Sequence, residues 1–96
     1  MATVVIAASA VADLDALIVT HQLPATTRRR VRASLARLSR YPMLGTALTG
    51  RWRAFRFIVG PWAWMLVVYL YDEAADEVAV VTIQDARSAR AATGSR

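Results

Sequence analysis

The sequence predicts an α+β domain: an N-terminal strand, a helical hairpin, then a three-stranded antiparallel meander, in the order β-α-α-β-β-β. A length of 96 residues leaves room for one hydrophobic core, because domains usually have about 100–150 residues. Two segments with helical periodicity follow a short β-branched run, and three β-rich runs separated by short turns fill the second half. We therefore expect one domain over residues 1–96.

The first strand and the first helix are predicted from composition and spacing. Residues 2–8, ATVVIAA, are rich in β-branched side chains and predict a strand. Residues 10–21 predict a helix that Ser9 caps, with Leu14 and Ile18 on its apolar face.

A second helix is expected from a cap at Thr26 or Thr27 to about Tyr41, where Pro42 ends it. Its apolar stripe is Val31, Leu35 and Leu38. Arginines cover most of the remaining circumference: Arg28, Arg29, Arg30, Arg32, Arg37 and Arg40. The helix is therefore amphipathic and strongly cationic on its polar side.

The second half predicts a loop, three strands and a tail. Residues 43–50 contain two glycines and two threonines, which indicates a loop. The Gly60-Pro61 turn and the acidic segment DEAADE separate the strands, and such short connections favour antiparallel neighbours. Residues 85–96 are small and polar and are predicted to form a flexible tail. The predicted strands cover residues 51–59, 62–71 and 78–84.

The predicted strand over residues 62–71 is apolar on both faces, which is typical of a central strand covered on both sides. Two helices cover only one face of a sheet. The other face needs either a cover from outside, such as a partner segment, a second copy or a ligand, or a cover from the tail or the 43–50 loop.

Charge is unevenly distributed along the chain. All 12 basic residues are arginine, against 7 acids. Residues 28–56 hold nine of these arginines and no acid, whereas residues 1–27 hold two acids and no base. Such a block makes polyanions the first partners to consider, and a solvated basic face without a partner is the alternative.

Several classes of protein are excluded by composition. Without cysteine, the chain has no disulfide scaffold, thiolate metal site or cysteine nucleophile. The longest uncharged run, residues 57–71, is too short for a membrane span, and the N-terminus lacks a basic signal region, so we expect a cytoplasmic protein without membrane contact. The only histidine, His21, falls at a helix end, where a cation is favourable. No metal or cofactor is expected.

Short motifs follow one another from the end of the second helix onward. They are Leu38-Ser-Arg-Tyr-Pro42, Gly45, Leu48-Thr-Gly50, Arg51-Trp-Arg-Ala-Phe-Arg56, Gly60, Leu66-Val-Val-Tyr69 and a closing strand from Val78 to Ile83 followed by Arg87. In this order and spacing, the chain resembles the RelE/ParE superfamily of bacterial toxins over roughly residues 3–88.

The resemblance implies a toxin of a type II toxin–antitoxin pair, neutralised by an antitoxin that wraps around it. RelE-like members are ribosome-dependent endonucleases that cut mRNA without a metal, whereas ParE-like members inhibit DNA gyrase without catalysis. The implied partners are an antitoxin and either the ribosome with its mRNA or gyrase. A homodimer or a toxin–antitoxin hetero-oligomer would be the assembly.

The resemblance also implies site residues. Arg56 and Arg87 are the candidate catalytic groups, because arginine binds phosphate through two parallel hydrogen bonds. The candidate nucleic-acid-binding residues are Arg28, Arg29, Arg32, Arg51 and Arg53. Three departures leave enzymatic activity open: Ile58 replaces a basic residue, residues 61–64 lack an arginine, and no tyrosine follows Tyr71. A member that only binds a partner protein is the third alternative.

Overall fold

The computed structural model describes residues 1–88 and 91–93. It confirms the predicted α+β class and the order of a strand, two helices and further strands. The elements are β1 (Thr3–Ile6), α1 (Ala8–His21), α2 (Thr27–Arg40), β2 (Thr46–Ala47), a 3₁₀ turn (Gly50–Trp52), β3 (Arg56–Val59), β4 (Met65–Asp72) and β5 (Glu77–Asp85).

The strands form one five-stranded sheet in the order β1-β5-β4-β3-β2. Strands β3 to β5 are the predicted antiparallel meander, and the helical hairpin carries the chain across the sheet, so that β1 pairs with β5 in parallel. Strand β2 was not predicted, because Thr46 and Ala47 fall in a stretch that reads as a loop; they pair with Phe57 and Arg56.

The predicted strand over residues 51–59 is shorter in the structure, since β3 begins only at Arg56. Gly50 has a φ of 65°, which starts a turn instead of an extended strand. The backbone N–H groups of Trp52 and Arg53 then donate to the carbonyls of Thr49 and Gly50. The prediction that Arg51 and Arg53 lie on this strand is therefore wrong.

Helix α1 begins at Ala8, and the predicted cap by Ser9 is wrong. The Ser9 hydroxyl instead donates to the carbonyl of Val81 in β5, over 2.6 Å. One turn later, the Asp13 carboxylate accepts hydrogen bonds from the Ile83 N–H and the Thr82 hydroxyl. Strand β1 ends at Ile6 and does not pair with this part of β5. The α1 side chains therefore supply hydrogen-bond partners for the backbone groups of Val81 and Ile83.

Helix α2 has the predicted amphipathic character. Its stripe of Val31, Leu35 and Leu38 is buried, and its six arginines are exposed. Thr26 occupies the cap position without a side-chain hydrogen bond, and the Thr27 hydroxyl donates to the Pro24 carbonyl over 2.6 Å. Among the described residues, neither helix has the length and hydrophobicity that crossing a membrane requires.

The hydrophobic core fills the space between the helices and one face of the sheet. It joins the apolar stripe of α2 to Ala10 and Leu14 of α1. From the sheet it includes Ile58, Met65, Val67, Tyr69, Val78, Val80 and Ile83.

Part of the opposite face of β4 is also buried, by the chain itself, although Leu70 on that face is exposed. Leu66 and Val68 are 3% and 0% exposed and lie outside the helix-side core. Leu48 of the 43–50 segment and Ala91 of the tail are each 7% exposed and also lie outside the helix-side core. The backbone N–H of the next tail residue, Ala92, donates to the side chain of Gln84, directly opposite Leu66. Of the two covers left open by the sequence, the internal one is present at these positions.

Candidate functional site

Arg56, the first candidate catalytic residue, lies partly buried at the start of β3. Its guanidinium donates to the Gly45 carbonyl over 2.7 Å and lies 3.5 Å from the Met43 carbonyl. These carbonyls belong to the loop that follows α2. The hydrogen bonds therefore attach the side chain to the protein's own backbone.

The side chain of Tyr69 in β4 also holds this loop through hydrogen bonds, a role that was not predicted from the sequence. Its buried hydroxyl donates to the Pro42 carbonyl and accepts from the Gly45 N–H, both over 2.8 Å. Burial raises the pKa of Tyr69, and the Gly45 hydrogen bond and the Arg56 charge partly oppose that rise. A Cβ atom on Gly45 would lie 2.6 Å from this hydroxyl and 2.7 Å from the Phe57 carbonyl oxygen, so the loop requires glycine.

A cavity of about 220 Å³ opens beside this loop. Arg53 and Arg56 line it together with Tyr71 and Glu73. The Tyr71 hydroxyl donates to the Asp76 carboxylate over 2.8 Å, which raises the pKa of Tyr71. The two guanidinium groups can bind an anion here, whereas the Tyr71 hydroxyl has its proton committed to Asp76 and the Glu73 carboxylate opposes an anion.

Arg87, the second candidate catalytic residue, pairs with Asp85. Its Nε and Nη2 atoms donate to the two carboxylate oxygens, each over 2.9 Å, and its backbone N–H donates to one of them. These hydrogen bonds, with smaller effects of the Arg87 and His21 charges, lower the pKa of Asp85 to about 2. The guanidinium also lies 4.9 Å from the centre of the Trp64 ring.

His21 and two tryptophans extend this cluster. The His21 Nε2 atom is 3.3 Å from the Asp85 carboxylate, and its ring stacks on Trp64 with the centroids 4.6 Å apart. The ring centroids of Trp62 and Trp64 are 6.3 Å apart, and the Arg30 guanidinium carbon lies 4.7 Å from the centre of the Trp62 ring. Both tryptophans are partly buried and pack against the core. In the part of the chain that the structure describes, no group of histidine and carboxylate side chains could hold a metal.

The structure does not bring the two candidate catalytic arginines together. Arg56 pairs with Tyr69 in the C-terminal half of β4, whereas Asp85, which holds Arg87, pairs with Met65, the first residue of that strand. Four residues of strand separate these positions, which corresponds to roughly 13 Å. The two arginines therefore belong to different ends of the sheet.

The candidate nucleic-acid-binding arginines divide between two regions. On α2, Arg28 pairs with Asp15 over 2.7 Å, whereas Arg29 and Arg32 are exposed and make no ion pair within the described residues. Arg51 is exposed on the 3₁₀ turn, and Arg53 lines the cavity beside Arg56.

The fold is that of the RelE-like toxins, as the motif order predicts. No family model matches the sequence, and no curated protein matches it either.

Solved structures of similar fold include the following three. The RelBE toxin–antitoxin complex of Escherichia coli matches with a TM-score of 0.66 and 14% identity, covering 92% of this chain and all of that one. A copper-bound mutant toxin from Helicobacter pylori also has a TM-score of 0.66, with 20% identity and 88% and 94% coverage. The RelBE2 complex of Mycobacterium tuberculosis has a TM-score of 0.60, with 21% identity and 88% and 96% coverage.

Proposed function

We propose that this chain is the toxin of a toxin–antitoxin pair and that it acts by binding its target, not by cutting RNA. Its fold supports the toxin role, and an antitoxin protein is the proposed partner. The separation of Arg56 from Arg87, each bonded within the chain, is the observation that carries the choice of binding over cleavage.

Metal-independent RNA cleavage requires groups that converge on one phosphate. They must activate the 2′-hydroxyl and stabilise the charge that develops on the phosphate oxygens. Arg56 donates to loop carbonyls, and Arg87 has two nitrogens committed to Asp85. A phosphate at Arg87 would have to displace a carboxylate that already satisfies its geometry.

The exposed arginine face of α2 is the proposed target-binding surface. Arg29 and Arg32 carry charge that no described carboxylate neutralises, and such charge binds polyanions by releasing their counterions. The ribosome with its mRNA fits this chemistry. DNA gyrase, bound through the helical hairpin, is the alternative target.

A ribosome-dependent mRNA endonuclease is the second candidate function. It is favoured by the cavity that Arg53 and Arg56 line together. In that case Arg53 and Arg56 would bind the phosphate, and Arg87 would take part only after release from Asp85.

The test is expression of the chain without its antitoxin, with labelling of new protein and new DNA and mapping of mRNA ends. We expect protein synthesis to stop without codon-phased cuts. Replacing Arg29 and Arg32 by alanine should relieve the arrest. The matched Arg28→Ala variant should relieve it less, because Asp15 already neutralises that charge.

Other outcomes discriminate among the candidates. Phased cuts that disappear in Arg56→Ala would establish the endonuclease. Arrested DNA synthesis with loss of supercoiling activity would establish gyrase as the target. Normal growth with the folded protein present would contradict a toxin.

A further inference from the structure

The loop over residues 41–45 is short and largely exposed, and hydrogen bonds hold its backbone in place. The side chains of Tyr69 and Arg56 form hydrogen bonds with its backbone, and the Leu44 N–H donates to the Tyr41 carbonyl over 3.0 Å. Gly45 has no space for a side chain. The backbone of the loop is therefore fixed by groups that belong to β3 and β4.

This fixed backbone presents apolar side chains to solvent. Tyr41, Met43 and Leu44 are 58%, 54% and 48% exposed. Three large apolar side chains are thus exposed within four residues, and we call them the apolar patch. Such clustered exposure marks binding surfaces more often than isolated exposed residues do. A partner would not have to order the backbone, which lowers the entropic cost of binding.

Cationic side chains adjoin the apolar patch. Met43 lines the 220 Å³ cavity together with Arg53 and Arg56, and Arg40 directly precedes Tyr41. Within the described residues these three arginines make no ion pair with a carboxylate. An anionic group next to apolar groups would complement the surface.

We propose that the 41–45 loop and the adjoining cavity form a docking surface for a protein segment that carries a carboxylate beside apolar side chains. The carboxylate would enter the cavity and pair with Arg53 and with the Arg56 nitrogens other than Nη1, because the loop carbonyls occupy Nη1. The neighbouring apolar side chains would pack on Met43 and Leu44, with Tyr41 at the edge.

The chemistry of the patch favours a protein over single-stranded RNA. Bases stack on aromatic rings, and only Tyr41 among the three exposed side chains offers one. Glu73 also lines the cavity. Its negative charge repels a single side-chain carboxylate less than it repels an RNA backbone, because RNA carries one negative charge per nucleotide. This surface goes beyond the proposed function, and binding to it is measured without any growth arrest.

Selection of random peptides displayed on phage against the immobilised full chain tests the proposal. We expect enriched peptides to place Asp or Glu beside Leu, Met or Phe. A synthetic copy of the most enriched peptide should bind roughly tenfold more weakly to the Met43→Ser/Leu44→Ser variant and to Arg53→Glu. Exchanging the peptide's acid for lysine should restore binding to Arg53→Glu.

Val19→Ser is the matched control, because Val19 is 78% exposed on α1 and should be replaceable without effect on peptide binding. Thermal unfolding of each variant establishes that it is folded. The proposal is overturned by the absence of enriched peptides, by enriched peptides without acids, or by affinity that the loop and Arg53 variants leave unchanged. It is also overturned if a single-stranded oligonucleotide binds and depends on Tyr41 but not on Met43 and Leu44.

Discussion

The two ends of β4 use arginine in opposite ways. At one end, Arg56 donates to neutral carbonyls beside the buried hydroxyl of Tyr69. At the other end, Arg87 pairs with the Asp85 carboxylate, and its own side chain is 60% exposed. Breaking a buried hydrogen bond leaves a polar group without water, whereas the groups of an exposed ion pair return to solvent. The first end should therefore determine stability far more than the second.

Gly45 and Gly60 provide the sharpest test of this difference. Gly45→Ala should lower the free energy of unfolding by about 3 kcal/mol, because the new methyl group meets a backbone carbonyl and a buried tyrosine. Gly60→Ala should cost about 1 kcal/mol or less, since its nearest neighbour is the flexible Met65 thioether at 3.0 Å. Urea unfolding measures both, and equal losses would contradict the comparison.

Two tyrosines on the same face of β4 give the next largest contrast. Tyr69→Phe should lower the free energy of unfolding by about 2 kcal/mol, because the Gly45 N–H and the Pro42 carbonyl lose their partner in the interior. Tyr71→Phe is the control, since its hydroxyl bonds to an exposed carboxylate. A Tyr69→Phe variant as stable as Tyr71→Phe would show that water replaces the lost hydroxyl.

The arginines themselves come next. Arg56→Met keeps an unbranched apolar stem but removes the donor to the Gly45 carbonyl, and we expect a loss of about 1–2 kcal/mol. The matched Arg87→Met variant should lose much less. Chemical denaturation at high salt separates the two effects, because salt screens the Arg87 pair and leaves the Arg56 hydrogen bond in place. A larger loss in Arg87→Met would reverse the comparison.

The order of elements and the buried stripe of α2 could be predicted because they depend on local periodicity. Val31, Leu35 and Leu38 recur at helical spacing, and the sequence shows that directly. The pairing of Asp85 with Arg87 also leaves a local signal, since two opposite charges stand two residues apart. These features need no knowledge of distant residues.

The role of Arg56 could not be predicted, because its partners are distant in the chain. The Gly45 carbonyl is 11 residues away, and the Tyr69 bonds reach 24 and 27 residues back. Arg56 also stands in an arginine-rich run that reads as one strand, although the turn at Gly50 removes its first residues. The cationic region could be predicted from the sequence. Its division into Arg56, which holds the loop, and the exposed arginines could not.

The smallest expected effect is a pH dependence at the Arg87 end. Hydrogen bonding to Arg87 lowers the pKa of Asp85 from 3.8 to about 2, so the folded state favours the ionised carboxyl. The resulting stability is complete above the unfolded pKa and is lost as the pH falls through the folded pKa. Because Arg87 is exposed and screened by solvent, the contribution should stay below about 1 kcal/mol.

The difference in stability between the wild type and Asp85→Asn measures this contribution. It should be constant near pH 5 and should shrink steadily as the pH falls from about 4 toward 2. Urea unfolding at low and high salt should show a smaller difference at high salt, because the interaction is an ion pair. A difference of the same size at pH of about 2 would mean that Asp85 stabilises its contacts with Arg87 and His21 as a neutral hydrogen-bonding group. The two ends of β4 would then resemble each other after all, since neither would depend on charge.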